Sequence, residues 1–106
     1  MTPSTPLACN MTAIPADQRS THHALTQRLV AEVAIEIRDV ANGLAFVFPS
    51  SAYDDVVRFV ALERLCCPFL HFILDVPSPD PSLTLTVTGP PGAREFIRAE
   101  LGLAKG

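Results

Sequence analysis

The sequence predicts an α+β fold: a two-layer sandwich in which a four-stranded, mostly antiparallel sheet carries helices on one face, in the order α-β-β-α-β-β-α. Three observations predict it. Two stretches, 35–48 and 69–88, alternate apolar and polar residues around turn signals, the mark of half-buried hairpins. Between them lies an apolar pattern of helical period. The chain has 106 residues, enough for a single core.

Residues 1–14 are rich in Pro and Thr, without charge, and read as an irregular arm ahead of one domain over 15–106. Pro15-Ala16-Asp17 signals a helix start, and Leu25, Leu29 and Val33 repeat at helical spacing, so a helix is expected over roughly 15–30. Ile35 and Ile37 then alternate with polar residues, as do Leu44, Phe46 and Phe48 further on. Asn42-Gly43 between them predicts the hairpin turn, because both residues tolerate positive φ. Pro49-Ser50-Ser51 closes the second strand and offers a helix cap. Val56, Phe59, Val60, Glu63 and Cys67 then share a helical stripe, with Asp54 and Asp55 placed to favour the helix dipole. Pro68 stops that helix near Cys67. Leu70, Phe72, Leu74 and Val76 lie on one face of a third strand. Leu83, Leu85 and Val87 point inward from a fourth, with Thr84, Thr86 and Thr88 outward. Pro90-Pro91-Gly92 leads into a last helix over roughly 91–101.

Composition narrows the function classes. Net charge is −3 and the only lysine is Lys105, so there is no basic footprint for nucleic acid. No secretory segment is visible, and 56–74, the nearest approach to a membrane span, contains Arg58, Glu63, Arg64, Pro68 and His71. A cytoplasmic protein is expected. Three cysteines, an odd number, fit a reducing compartment better than a disulfide scaffold. The apolar fraction of 48% and mean hydropathy of +0.28 point to a well-filled core, a pocket or a partner surface.

Chemistry concentrates in Glu63-Arg64-Leu65-Cys66-Cys67-Pro68-Phe69. With Cys9, Phe46-Val47-Phe48-Pro49 and the late Leu85-Thr86-Val87-Thr88-Gly89-Pro90-Pro91-Gly92, this stretch resembles a group of small bacterial proteins that carry an E-R-x-C-C-P-F motif and an N-terminal cysteine. The resemblance covers most of the chain. It implies a shared site and brings no known reaction.

Two readings compete for the cysteine pair. Free cysteine packs well as a small hydrophobe, and neighbours on a helix point about 100° apart, so one could be core and the other boundary. Yet a Cys-Cys pair at an element boundary, in a chain with three cysteines, is the place to look for a site. Adjacent Cα atoms stand ~3.8 Å apart, below the usual ~4.4–6.8 Å of a bridge, so a stable Cys66–Cys67 disulfide is not expected. Two thiolates and a third suit a soft ion, and Cys9 is the third if the arm folds back. His71 is a weaker candidate ligand, and Arg64 supplies positive charge. No C-x-x-C spacing marks a zinc site. A helix C-terminus disfavours a thiolate nucleophile, which turns the reading from acyl transfer toward binding.

Glu63 on an apolar stripe needs a reason. It could pair with Arg64 to order the site. His22-His23 diverge on their helix and do not chelate together; with Asp17 and Arg19 they fit a surface helix as well as a pocket. There is no G-x-S-x-G and no Gly-rich phosphate loop.

The expectation is a protein that binds a thiophilic metal or metalloid ion, or a thiol-reactive ligand, through Cys66 and Cys67 with Cys9, supported by Glu63, Arg64 and His71. Its cofactor would be a soft metal ion at most. One alternative is an interaction or homodimer module whose cysteines only pack. The other is a thiol-dependent redox or transfer enzyme. With Hg(II) or As(III), one ion per chain is expected, with Cys66 and Cys67 mattering more than Cys9.

Overall fold

The computed structural model describes residues 8–103 and confirms the α+β class and the α-β-β-α-β-β-α order. Helix α1 (Arg19–Arg28) runs into a π turn, Leu29–Val33. Strands β1 (Glu36–Val40) and β2 (Gly43–Pro49) form the first hairpin. Helix α2 (Tyr53–Cys66) follows a short 3-10 turn, and β3 (His71–Asp75), β4 (Ser82–Thr88) and α3 (Ala93–Glu100) complete the fold. The sheet order is β1-β2-β4-β3, every neighbouring pair antiparallel. The two hairpins thus join through β2 and β4, the strands with the richest apolar alternation.

The core lies between this sheet and the helices. Leu44, Phe46 and Phe48 of β2 and Leu83, Leu85 and Val87 of β4 meet Leu25 and Leu29, Val56 and Phe59, and Ala93 and Ile97. Each element contributes the stripe its period selects. The threonines of β4 fall on the other face, half exposed. Among the described residues no helix is long and apolar enough to cross a membrane.

The first turn differs from expectation by one residue. Val40 pairs with Gly43, so Ala41 and Asn42 form the turn. Asn42 alone takes the left-handed conformation, at φ 56°, which Asn tolerates. Gly43 is required for a different reason. A Cβ there would penetrate the carbonyl oxygen of Val87 and stand 2.8 Å from Thr88 Cα, because β4 passes close against it. The cap differs too: Ser50 and Ser51 enter the 3-10 turn, and Ala52 takes the N-cap position of α2 with no side-chain hydrogen bond. Asp55 in the first turn of α2 pairs with Arg28 of α1 at 2.6 Å and ties the two helices on their solvent side. Gly92, at φ 93°, is the left-handed entry to α3.

Candidate functional site

Three segments converge at the end of α2. The helix stops at Cys66 because Pro68 disfavours helical backbone in the residue before it, and Cys67 leaves the helix at φ −124° and ψ 67°. Its last carbonyls lack partners within the helix. One is satisfied by the incoming chain: the Asn10 N–H donates to the Cys66 carbonyl at 2.7 Å. Residues Met11–Ala13 then form a 3-10 turn that the Asn10 side chain caps at Thr12. Ile14 follows, completely buried against Cys66 and Cys67. The Arg19 Nε–H donates to the Ile14 carbonyl at 2.9 Å and pins the far end of the segment to α1.

This docking carries Cys9 to the pair. Cys9 and Cys67 are joined as a disulfide, with Cα atoms 4.6 Å apart across 58 residues of sequence. Cys66 is a free, buried thiol whose Sγ lies 3.5 Å from that of Cys67. Glu63, one turn back, reaches the same point. Its Oε1 lies 3.7 Å from Cys66 Sγ and its Oε2 3.5 Å from Cys67 Sγ. The three sulfurs and a Glu63 oxygen all lie within 4.8 Å of one another. In the disulfide state only Cys66 can donate to that carboxylate; with the bridge reduced, Cys67 can as well.

Glu63 has its reason for facing inward. His22 of α1, 3% exposed, places Nε2 2.8 Å from Glu63 Oε1 and stacks on Phe59. Its Nδ1 is buried with no hydrogen-bond partner among the described residues. A small cleft lined by Met11, His22, His23, Glu63 and Glu100 opens on Glu63 from solvent. Burial, then the charge of Glu63, raise the Glu100 carboxyl above its ordinary pKa. The same influences push the Cys66 thiol up to about 12: burial first, then the Glu63 charge and hydrogen bond. The corner is therefore rich in acidic and sulfur donors.

The expected site residues divide in two. Cys9, Glu63, Cys66 and Cys67 come together. Arg64 and His71 do not: Arg64 is exposed on α2 with no ion pair among the described residues, and His71 is exposed at the start of β3. Residues 64 and 63 leave a helix about 100° apart, so a buried Glu63 turns Arg64 outward, and the partner of Glu63 is His22 instead. Ile14 and His22 belong to this corner and were not singled out for it by sequence. His22 did carry a signal, since positions 22, 25 and 29 share one helical stripe and all three are buried.

Fold and site together define a two-layer α+β sandwich with a largely buried cluster of three cysteines and a carboxylate at the end of its central helix. No family model, no curated protein and no solved structure matches the chain.

Proposed function

We propose that the protein binds a thiophilic metal or metalloid ion through Cys9, Cys66 and Cys67, with Glu63 beside them. The observation that carries the reading is the convergence of three sulfurs and one carboxylate oxygen within 4.8 Å. Soft thiolates select soft ions. Two sulfurs 3.5 Å apart, each ~2.3 Å from a shared ion as in a zinc–thiolate bond, subtend roughly 100° there, a normal ligand angle. His22, bonded to Glu63, orients the carboxylate as outer partners of metal ligands do. The stretch through which the chain resembles other small bacterial proteins holds Glu63, Cys66 and Cys67, three of the four residues.

The pair is the centre of this reading, and Cys9 adds the third sulfur. An arm that had to be ordered would cost ~1–2 kcal/mol per residue. Here Asn10 and Ile14 dock the arm beside the bond between Cys9 and Cys67, and any of these contacts that outlast reduction lower that cost for Cys9.

A second reading is favoured by the Cys9–Cys67 bridge: the cysteines staple the arm and do nothing more, as in an interaction or homodimer module. A nucleophilic thiol enzyme is the weakest of the three readings, since a thiol pushed to about 12 carries almost no thiolate at neutral pH. The discriminating experiment reduces the protein, removes the reductant and titrates Cd(II) or Hg(II) while following ligand-to-metal absorbance in the ultraviolet. Saturation at one ion per chain, weakened in Cys66→Ser and Cys67→Ser, is expected. Unchanged binding in both variants would sink the reading.

A further inference from the structure

We propose that the ion suited to this site is a trivalent, three-thiolate metalloid, received as the neutral hydroxide of arsenic(III) or antimony(III), in preference to a divalent metal. The inference rests on the binding reading above and names the ligand class of the same site.

Charge is the first ground. Three thiolates around a trivalent ion make a neutral adduct. Around a divalent ion they leave one negative charge, and two if Glu63 also coordinates. An uncompensated charge is costly in an apolar interior. This interior is apolar: Cys66 and Cys67 are 1% and 0% exposed and pack with Ile14, Leu62, Phe69 and Leu70. The carboxylates facing it, Glu63 and Glu100, are the wrong sign to offset a surplus negative charge. No arginine among the described residues reaches the cluster within hydrogen-bond distance. Arg19 donates to the Ile14 and Thr12 carbonyls, and Arg28, Arg38, Arg94 and Arg98 have partners elsewhere. Arg58 and Arg64 are exposed on α2.

Coordination number is the second ground. The corner supplies three soft donors, the sulfurs, and the carboxylate beside them is a hard one, with Glu63 Oε1 hydrogen-bonded to His22 Nε2 at 2.8 Å and Oε2 3.5 Å from Cys67 Sγ. Three soft donors with no fourth one free suit an ion that completes its shell with a lone pair.

The chemistry balances without any charged leaving group. A low-molecular-weight thiol, two equivalents, first reduces the Cys9–Cys67 bridge and departs as its own disulfide. Three S–H groups then meet one As(OH)3. Three As–O bonds break and three As–S bonds form. Each thiol proton leaves with a hydroxide as water, and arsenic stays trivalent.

The test uses the reduced chain, freed of reductant under anaerobic conditions. Sodium arsenite and Cd(II) are titrated separately and then in competition, with bound ion measured after desalting. Wild type is expected to retain one arsenic per chain in the presence of equimolar Cd(II). Cys9→Ser is the decisive variant, because Cys9 is only half-buried and its Cd(II) binding through the remaining pair reports that the site is still folded. It should hold Cd(II) within about tenfold of wild type and arsenite about a hundredfold more weakly, since only the trivalent ion needs the third thiolate. Equal losses for the two ions in Cys9→Ser, or a wild type that binds cadmium and not arsenite, would overturn this inference and leave the broader reading intact. Failure of both ions to bind would overturn both.

Discussion

The layer between sheet and helices and the corner at the end of α2 are both buried, yet they are held in different ways. The layer is a continuous apolar contact among Leu44, Phe46, Phe48, Leu83, Leu85 and Val87 and the helix stripes above them. The corner has one fully buried aliphatic side chain, Ile14, beside two cysteines. What fixes it is directional: the Asn10–Cys66 backbone bond, the Cys9–Cys67 bridge, and the Glu63–His22 pair. Apolar packing is tolerant in detail and sums with area. A set of directional bonds is exacting, and each can be removed chemically. The layer therefore reads as scaffold, and the corner is the part that the proposed ion binding would use.

The largest expected difference comes from reduction. Opening a bridge that closes 58 residues should cost about 4 kcal/mol on the chain-entropy account. Urea unfolding with and without a thiol reductant measures it, and a shift below about 1 kcal/mol would mean that opening the bridge frees the arm in the folded chain as well as in the unfolded one. An ion bound to the reduced protein should restore part of the loss by mass action.

The next effect tests the layer. Gly43→Val should destabilise by about 3 kcal/mol, because its Cβ meets backbone of β4 that cannot move aside. The decrement should be equal in oxidised and reduced protein, since Gly43 packs against Val87 and Thr88 of β4 and not against the cysteines. A redox-dependent decrement would break the separation of the two regions.

The smallest effect, taken one unit at a time, is in pH. The Cys66 thiol is raised from 9.0 to about 12 in the folded chain. Folding then holds a proton that the unfolded chain gives up, so stability is intact below pH 9 and falls as pH climbs from 9 toward 12. The slope from this group is about 1.4 kcal/mol per pH unit. Cys66→Ser should remove that component of the alkaline decline; an identical decline in the variant would place its cause elsewhere.

How much was legible follows the same division. Strand alternation and helix period are local, and they placed most of the layer: Leu83, Leu85 and Val87 inward, the threonines outward, while Ile35 and Val76, expected on strand faces, lie beyond the strand ends and are exposed. The hairpin turn was off by one because Asn42 and Gly43 both looked like turn residues, and only the passage of β4 shows why Gly43 belongs to the strand. In the corner, Glu63 announced itself as a carboxylate on an apolar stripe, but its partner lies 41 residues away on another helix. Arg64 and His71 were drawn in by proximity along the chain. Spacing in sequence says which residues share a face and is silent on what that face meets. Cys9 was found by chemical demand for a third sulfur, and Ile14, the residue that seats it, had no such demand behind it.

The central claim is that three sulfurs of one chain can hold one ion. X-ray absorption at the edge of the bound element, on reduced protein loaded with one equivalent of arsenite, counts those sulfurs directly. The account predicts a first shell of three sulfurs and no oxygen, falling to two sulfurs in Cys9→Ser. A wild-type shell of oxygen, or of two sulfurs unchanged by Cys9→Ser, would contradict it.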